Sequence, residues 1–184
     1  MYSDGNSIST YEENVNHFNE HQNKITKDSI KKIVGMEVND VSLYKNALMH
    51  KSLYKITETS NERLEFLGDS VLSPIVANYL YDRFPDEHEG FMTKMRTRLV
   101  NGETLGKFAQ ELGFGEYLII SRHIEDKCNG RTNPNILEDS FEAFIGAMFL
   151  DFNEVDNYNL LDNFYTGIGF QMCEKFLINV YEDL

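Results

Sequence analysis

Basic side chains are in short supply in this chain. Among its 184 residues, 17 are Lys or Arg and 30 are Asp or Glu, for a formal net charge of −13. A protein that grips a phosphate backbone with its whole surface is normally basic, so this balance argues against such a surface. It serves solubility instead, and part of the excess belongs to any cation site that the carboxylates build. Cysteine is scarce too. Cys128 and Cys173 have no thiolate-ligand spacing and read as free thiols of a reducing compartment. No apolar run approaches the length of a membrane span, which leaves no membrane partner to expect. No charged stretch followed by an apolar block opens the chain, so no secretory signal is read and the cytoplasm is the default. Alternating strand patterns and internal repeats are also missing. What remains is one all-α domain, at a length that suits a substantial core.

Residues 1–27 are polar and thinly hydrophobic. They read as a loose arm, with room for one short helix around Tyr11–Asn19. His17 and His21 lie four apart there, and without a third ligand they read as solvated polar side chains rather than a metal pair. The folded domain is expected from 28 to 184. Ile30, Ile33 and Val34 mark a first apolar face, and Leu43, Ala47 and Leu48 a helix within Val41–Lys51. Ser60 or Asn61 is a good N-cap for a long helix that runs past an internal Pro74, which should kink it, to a stop at Pro85. Phe91–Val100 is the next helix, with Lys94, Arg96 and Arg98 opposite Met92, Met95 and Leu99. Leu105, Phe108, Ala109 and Leu112 form another, closed by Gly113. Ser121–Pro134 reads as a polar, partly basic loop. From Asn135 a helix is apolar nearly all round, as a central helix is, with Gly146 permitting a close neighbour. Tyr158–Leu184 reads as amphipathic helix through Leu160, Leu161, Phe164, Met172, Phe176, Leu177 and Val180.

The long helix opens Asn61-Glu62-Arg63-Leu64-Glu65-Phe66-Leu67-Gly68-Asp69-Ser70-Val71-Leu72. Glu65 and Asp69 are one turn apart, and Glu62 lies on the same stripe. Within the stretch only Arg63 is basic, and it points elsewhere. Stacked acids without partners repel, by a few tenths of a kcal/mol per pair, roughly. The apolar helix also carries acids, with Asp139 and Glu142 sharing a face. Carboxylates on such a helix are costly to bury unpaired. Either these four are exposed helix charges, or two helices bring Glu65, Asp69, Asp139 and Glu142 together as oxygen ligands for Mg²⁺ or Mn²⁺. One or two such ions suit phosphodiester hydrolysis.

The stretch Glu62–Asp69 closely resembles the signature helix of the ribonuclease III family. Leu137-Glu-Asp-Ser-Phe-Glu-Ala-Phe-Ile-Gly146 resembles its second acidic segment, and Ala47–Ser52 a third segment, with Met49 where Thr is common. The resemblance covers roughly Val38 to Asp151. It implies an all-α homodimer that cleaves double-stranded RNA with Mg²⁺, leaving 5′-phosphate and 3′-hydroxyl ends. It implies that Glu65, Asp69, Asp139 and Glu142 are the metal ligands and catalytic residues, supported by Glu62 and Glu89. Phe66, otherwise a core aromatic, becomes a dimer contact that inserts into a socket on the partner. His50 is expected to anchor a helix end. Lys94, Arg96, Arg98, Arg122 and Arg131 are candidates for RNA phosphates, with ordinary surface charge as the plainer reading of each.

One departure stands out. Family members from bacteria usually carry a separate double-stranded-RNA-binding domain, for which 184 residues leave no room. A short form or a piece of a longer protein is therefore expected, with weak and salt-sensitive RNA binding. A non-catalytic RNA-binding or scaffold homologue is the alternative, though such proteins usually lose ligands. A His-Asp type phosphohydrolase needs an adjacent His-Asp pair, and no His here precedes Asp.

Overall fold

The structure, a computed structural model, describes residues 5–153 and 167–184. It is helical, as the periodicities imply. The helices are α1 (Gly5–Lys24), α2 (Lys27–Val34), α3 (Val41–Ala47), α4 (Tyr54–Thr57) and α5 (Glu62–Arg83). Then come α6 (Glu89–Leu99), α7 (Gly102–Glu111), α8 (Phe114–Tyr117), α9 (Arg122–Cys128), α10 (Pro134–Phe152) and α11 (Ile168–Asp183). Among the described residues no strand forms. One parallel bridge, Met49 to Ile119, ties the end of α3 to the segment after α8. No described helix is long and apolar enough to cross a membrane.

Helix α10 is the axis of the fold, packed on by α5, α7, α3 and α11. Phe141, Ala143, Phe144, Ile145, Ala147 and Met148 are all fully buried, as its all-round apolar pattern predicts. Asn133 caps it, accepting from the Asn135 N–H, and Pro134 fills the first turn, where no donor is needed. Helix α5 crosses α10 with the backbones nearly touching. A Cβ on Gly68 would sit 1.7 Å from the Glu142 carbonyl oxygen, and one on Gly146 2.3 Å from that of Leu64. Only hydrogen at both positions permits this approach. It sets the carboxylates of the two helices against each other.

Several expectations change. Residues 1–27 are not simply a loose arm. Helix α1 spans Gly5–Lys24, and His21 and Ile25 are buried at 6% and 1% exposure. Helix α3 stops at Ala47 because Leu48 and His50 turn to bond Ile119, and its core residue is Tyr44 rather than Leu43. The polar loop after Ile120 contains α9, capped by Ser121. Asn61 stands at the N-cap of α5 but makes no side-chain cap bond. Of the final helix, Leu160, Leu161 and Phe164 lie outside the described residues, and α11 begins at Ile168. Pro74 lies inside an unbroken α5. A buried carboxylate, Asp151, ties the end of α10 to the start of α3. It accepts from the backbone N–H of Asn39 and Asp40 and from the Tyr44 hydroxyl, at 3.1, 2.6 and 3.0 Å. Both cysteines are free, Cys128 exposed and Cys173 buried.

Candidate metal centre

The acidic cluster is built where α5 and α10 touch. Glu65 and Asp69 come from α5, one turn apart, and Asp139 and Glu142 from α10. Glu65, Asp139 and Glu142 are half-buried, and Asp69 is exposed. Burial pushes the Glu142 carboxyl up to about 8, helped in turn by the charges of Asp69, Glu138, Glu65 and Asp139. Glu65 is raised by burial and then by Asp139. Asp139 is raised by burial, with Glu62 adding and Lys51 opposing. These influences place all four side chains in one electrostatic neighbourhood. They also show how poorly the cluster is neutralised by the chain itself.

Two members escaped the sequence reading. Glu138 faces the first turn of α7, where a Cβ on Gly102 would lie 2.2 Å from its Oε2. Burial and Asp139 raise its carboxyl. Its adjacency to Asp139 was the available signal. Lys51 is the second, because the acidic stripe is not wholly without a cation. Its Nζ lies 3.5 Å from Glu62. Nothing in the spacing could show that the turn after His50 delivers it there.

Of the supporting acids, Glu62 is at the cluster's edge, where it also accepts from the Ser60 hydroxyl at 3.0 Å. Glu89 stands in the first turn of α6 rather than on either helix of the four. It accepts from Thr93 at 2.7 Å and lines a groove of about 340 Å³ with Ala77, Tyr81, Met92 and Arg96. His50 anchors a chain turn, accepting from the Ser52 N–H through Nδ1 at 3.1 Å. Burial, then Lys51, lowers its pKa.

Phe66 is no core residue, at 78% exposure. It shares its face of α5 with the exposed Ser70, Ser73 and Tyr81. Lys94, Arg96 and Arg98 are exposed on α6. The other two cations are engaged by protein. Arg122 lies 3.7 Å from Glu13 of α1. Arg131 differs most from its expected role. It donates to the carbonyls of Gly115 and Leu118, at 2.7 and 3.1 Å, and to Glu125.

The carboxylates fit a divalent cation. Their oxygens are hard donors, and cation charge would offset both the burial and the like charges that raise the Glu142 carboxyl. In the present rotamers, however, the tightest ligand-spaced group among the described residues is elsewhere, at His17, His21 and Glu125.

Comparison with known proteins decides the lineage. The Ribonuclease-III-like family model matches residues 40–160. The chain belongs to the ribonuclease III family. Ribonuclease 3 of Nitratiruptor is 45% identical over 124 residues, covering 67% of this chain and 54% of that protein. Ribonuclease 3 of Listeria welshimeri is 43% identical over 133 residues, 70% of this chain and 57% of its own length. The chain thus spans about half the length of these curated relatives. The nuclease domain of Campylobacter jejuni ribonuclease III superposes with a TM-score of 0.71 at 32% identity, covering 86% of this chain and 97% of that one. Dicer from Pichia stipitis matches at a TM-score of 0.54 and 31% identity, over 80% of this chain and 56% of its own. The Campylobacter structure is described as flexible in a region involved in dimer formation.

Proposed function

We propose that this ribonuclease III-family chain is a Mg²⁺-dependent endoribonuclease that acts on double-stranded RNA as a homodimer. The observation that carries this reading is the α5–α10 cluster, in which Glu142 is raised to about 8 by burial and by four neighbouring acids. A half-buried cluster of that charge calls for a cation. Glu65, Asp69, Asp139 and Glu142 would hold it, with Mn²⁺ as a substitute. Bound there, it would supply the charge that activates a water and stabilises the departing oxygen. Attack at phosphorus that breaks the bond to the 3′ oxygen leaves a 5′-phosphate and a 3′-hydroxyl.

The chain's own residues do the positioning. Gly68 and Gly146 hold the two pairs face to face. Glu142, raised to about 8 by burial, would release its proton on binding a cation. Lys51 restrains Glu62 at the rim. Lys94, Arg96 and Arg98, exposed on α6, would meet RNA phosphates, joined by Arg122 only if it leaves Glu13, and A-form duplexes are read by shape rather than by sequence.

For the homodimer, support comes from the face around Phe66. Helix α6 has no fully buried residue, and the groove between α5 and α6 lies open beside the exposed Tyr81. A second copy covering this face would bury Phe66 and bring two clusters to one duplex, one per strand.

Long duplex RNA incubated with the chain and Mg²⁺ tests the reading, with end analysis of the products. Fragments bearing 5′-phosphates and 3′-hydroxyls are expected. Intact duplex, or equal cutting of single-stranded RNA, would overturn it.

A further inference from the structure

A second ligand-bearing cluster lies between α1 and α9, on elements other than α5 and α10. His17 and His21 are one turn apart on α1, their rings edge to face at 4.4 Å between centroids. Glu125 reaches them from α9. One donor atom from each of the three lies within 4.8 Å of the others.

The contact is not an ordinary ion pair. His17 Nε2 and Glu125 Oε2 are 2.7 Å apart, yet both atoms are buried and neither has a hydrogen-bond partner. The oxygen therefore lies off the direction in which the ring N–H points. The His17 side chain keeps only 10% exposure. Buried polar atoms without partners are costly, and here two of them face each other across α1 and α9. The other oxygen of Glu125 is held by Arg131 Nε. One oxygen is thus pinned by an outer partner while the second stays available, as in carboxylates that ligate metals. His21 offers a lone pair at neutral pH, because burial and then Arg131 hold its pKa at about 4.

We infer that His17, His21 and Glu125 form a site for a Zn²⁺-class cation that fastens α1 to α9. Two imidazoles and one carboxylate favour Zn²⁺, Co²⁺ or Ni²⁺ over Mg²⁺. Three protein ligands leave a fourth position to water. Arg131 is the opposing group, with Nη2 3.0 Å from His21 Nε2, and Lys24 Nζ lies 3.2 Å from Nδ1. Each already has an acid beside it, Arg131 at Glu125 and Lys24 at Glu20, 3.8 Å away. A cation must displace Nη2 from the ring while Nη1 stays on the Gly115 and Leu118 carbonyls. A cation that binds only the docked helix stabilises docking.

The test is a Zn²⁺ titration of the full chain in excess Mg²⁺, which competes for the α5–α10 carboxylates. Ring-nitrogen NMR shifts of His17 and His21 are read together with the rate of protease cutting in α1. Both rings should shift and saturate near one equivalent, and cutting should slow about tenfold. His17→Ala and Glu125→Gln should each weaken binding at least tenfold, with circular dichroism checking that they fold. Because the NMR arm uses the unaltered chain, it stands even where a variant unfolds. Rings that Zn²⁺ leaves unmoved, or binding unchanged in the variants, would overturn the site.

Discussion

At the residue scale, the proposed metal site rests most on Glu142. Its folded carboxyl titrates near 8 against an ordinary value of 4.5. A raised carboxyl favours the folded state most below about 4.5, where folded and unfolded chains are both protonated. As pH climbs from there through about 8, the unfolded chain loses its proton first and that advantage disappears. Without divalent cations, melting temperature should therefore fall across this window. Glu142→Gln should flatten the fall, and added Mg²⁺ should offset it in the unaltered chain. Thermal melts at stepped pH check both. A slope that Glu142→Gln leaves unchanged would assign the effect to other groups. Most of this cluster was legible in the sequence. The i, i+4 and i, i+3 spacings put each pair on a face, and acids on an apolar helix signalled a special environment. Glu138 offered only its adjacency to Asp139 as a signal, and Lys51 offered none, because its place depends on the chain after His50. Arg131 looked like surface charge because carbonyl partners leave no mark in a sequence.

At the scale of elements, the α5–α10 crossing decides whether two acidic pairs become one site. Gly146 signalled a close neighbour, but its counterpart Gly68 looked like an unremarkable member of an acidic helix. Gly68→Ala places a methyl against the Glu142 carbonyl, with no flexible side chain to yield. Overpacking of this kind costs about 1–3 kcal/mol or more. Urea titration should show that loss, and cleavage should fall further than stability because the pairs are pushed apart. Full activity in a folded Gly68→Ala chain would show that the close crossing does not set the site. The helix periods of α2, α7 and α10 were readable directly. The polar arm and the loop before α10 were misread because α1 and α9 lack strong apolar stripes. They are held instead by polar contacts between distant residues, such as Arg131 with His21 and Asn14 with the Arg122 N–H.

For the whole molecule, the proposed dimer turns on Phe66, an exposed aromatic on the helix that carries half of the acidic cluster. Phe66 packs on nothing that its 78% exposure would let a monomer lose. Phe66→Ala should leave the monomer's urea midpoint nearly unchanged and weaken self-association at least tenfold, the effect of losing a buried aromatic anchor worth about 2 kcal/mol. Sedimentation velocity over a concentration series reads it. Dimers of equal strength in the variant would place the interface elsewhere. The acid excess predicts a further whole-molecule property, a cluster that needs cation charge before a polyanion can approach. The most direct measurement is the single-turnover cleavage rate of long double-stranded RNA across a Mg²⁺ titration, for the unaltered chain and Glu142→Gln. The rate should rise from zero with Mg²⁺ and saturate. It should be lower in Glu142→Gln by about a thousandfold, since cation stabilisation of the reaction is worth several kcal/mol. Cleavage without divalent cations, or equal rates for the two chains, would contradict the account.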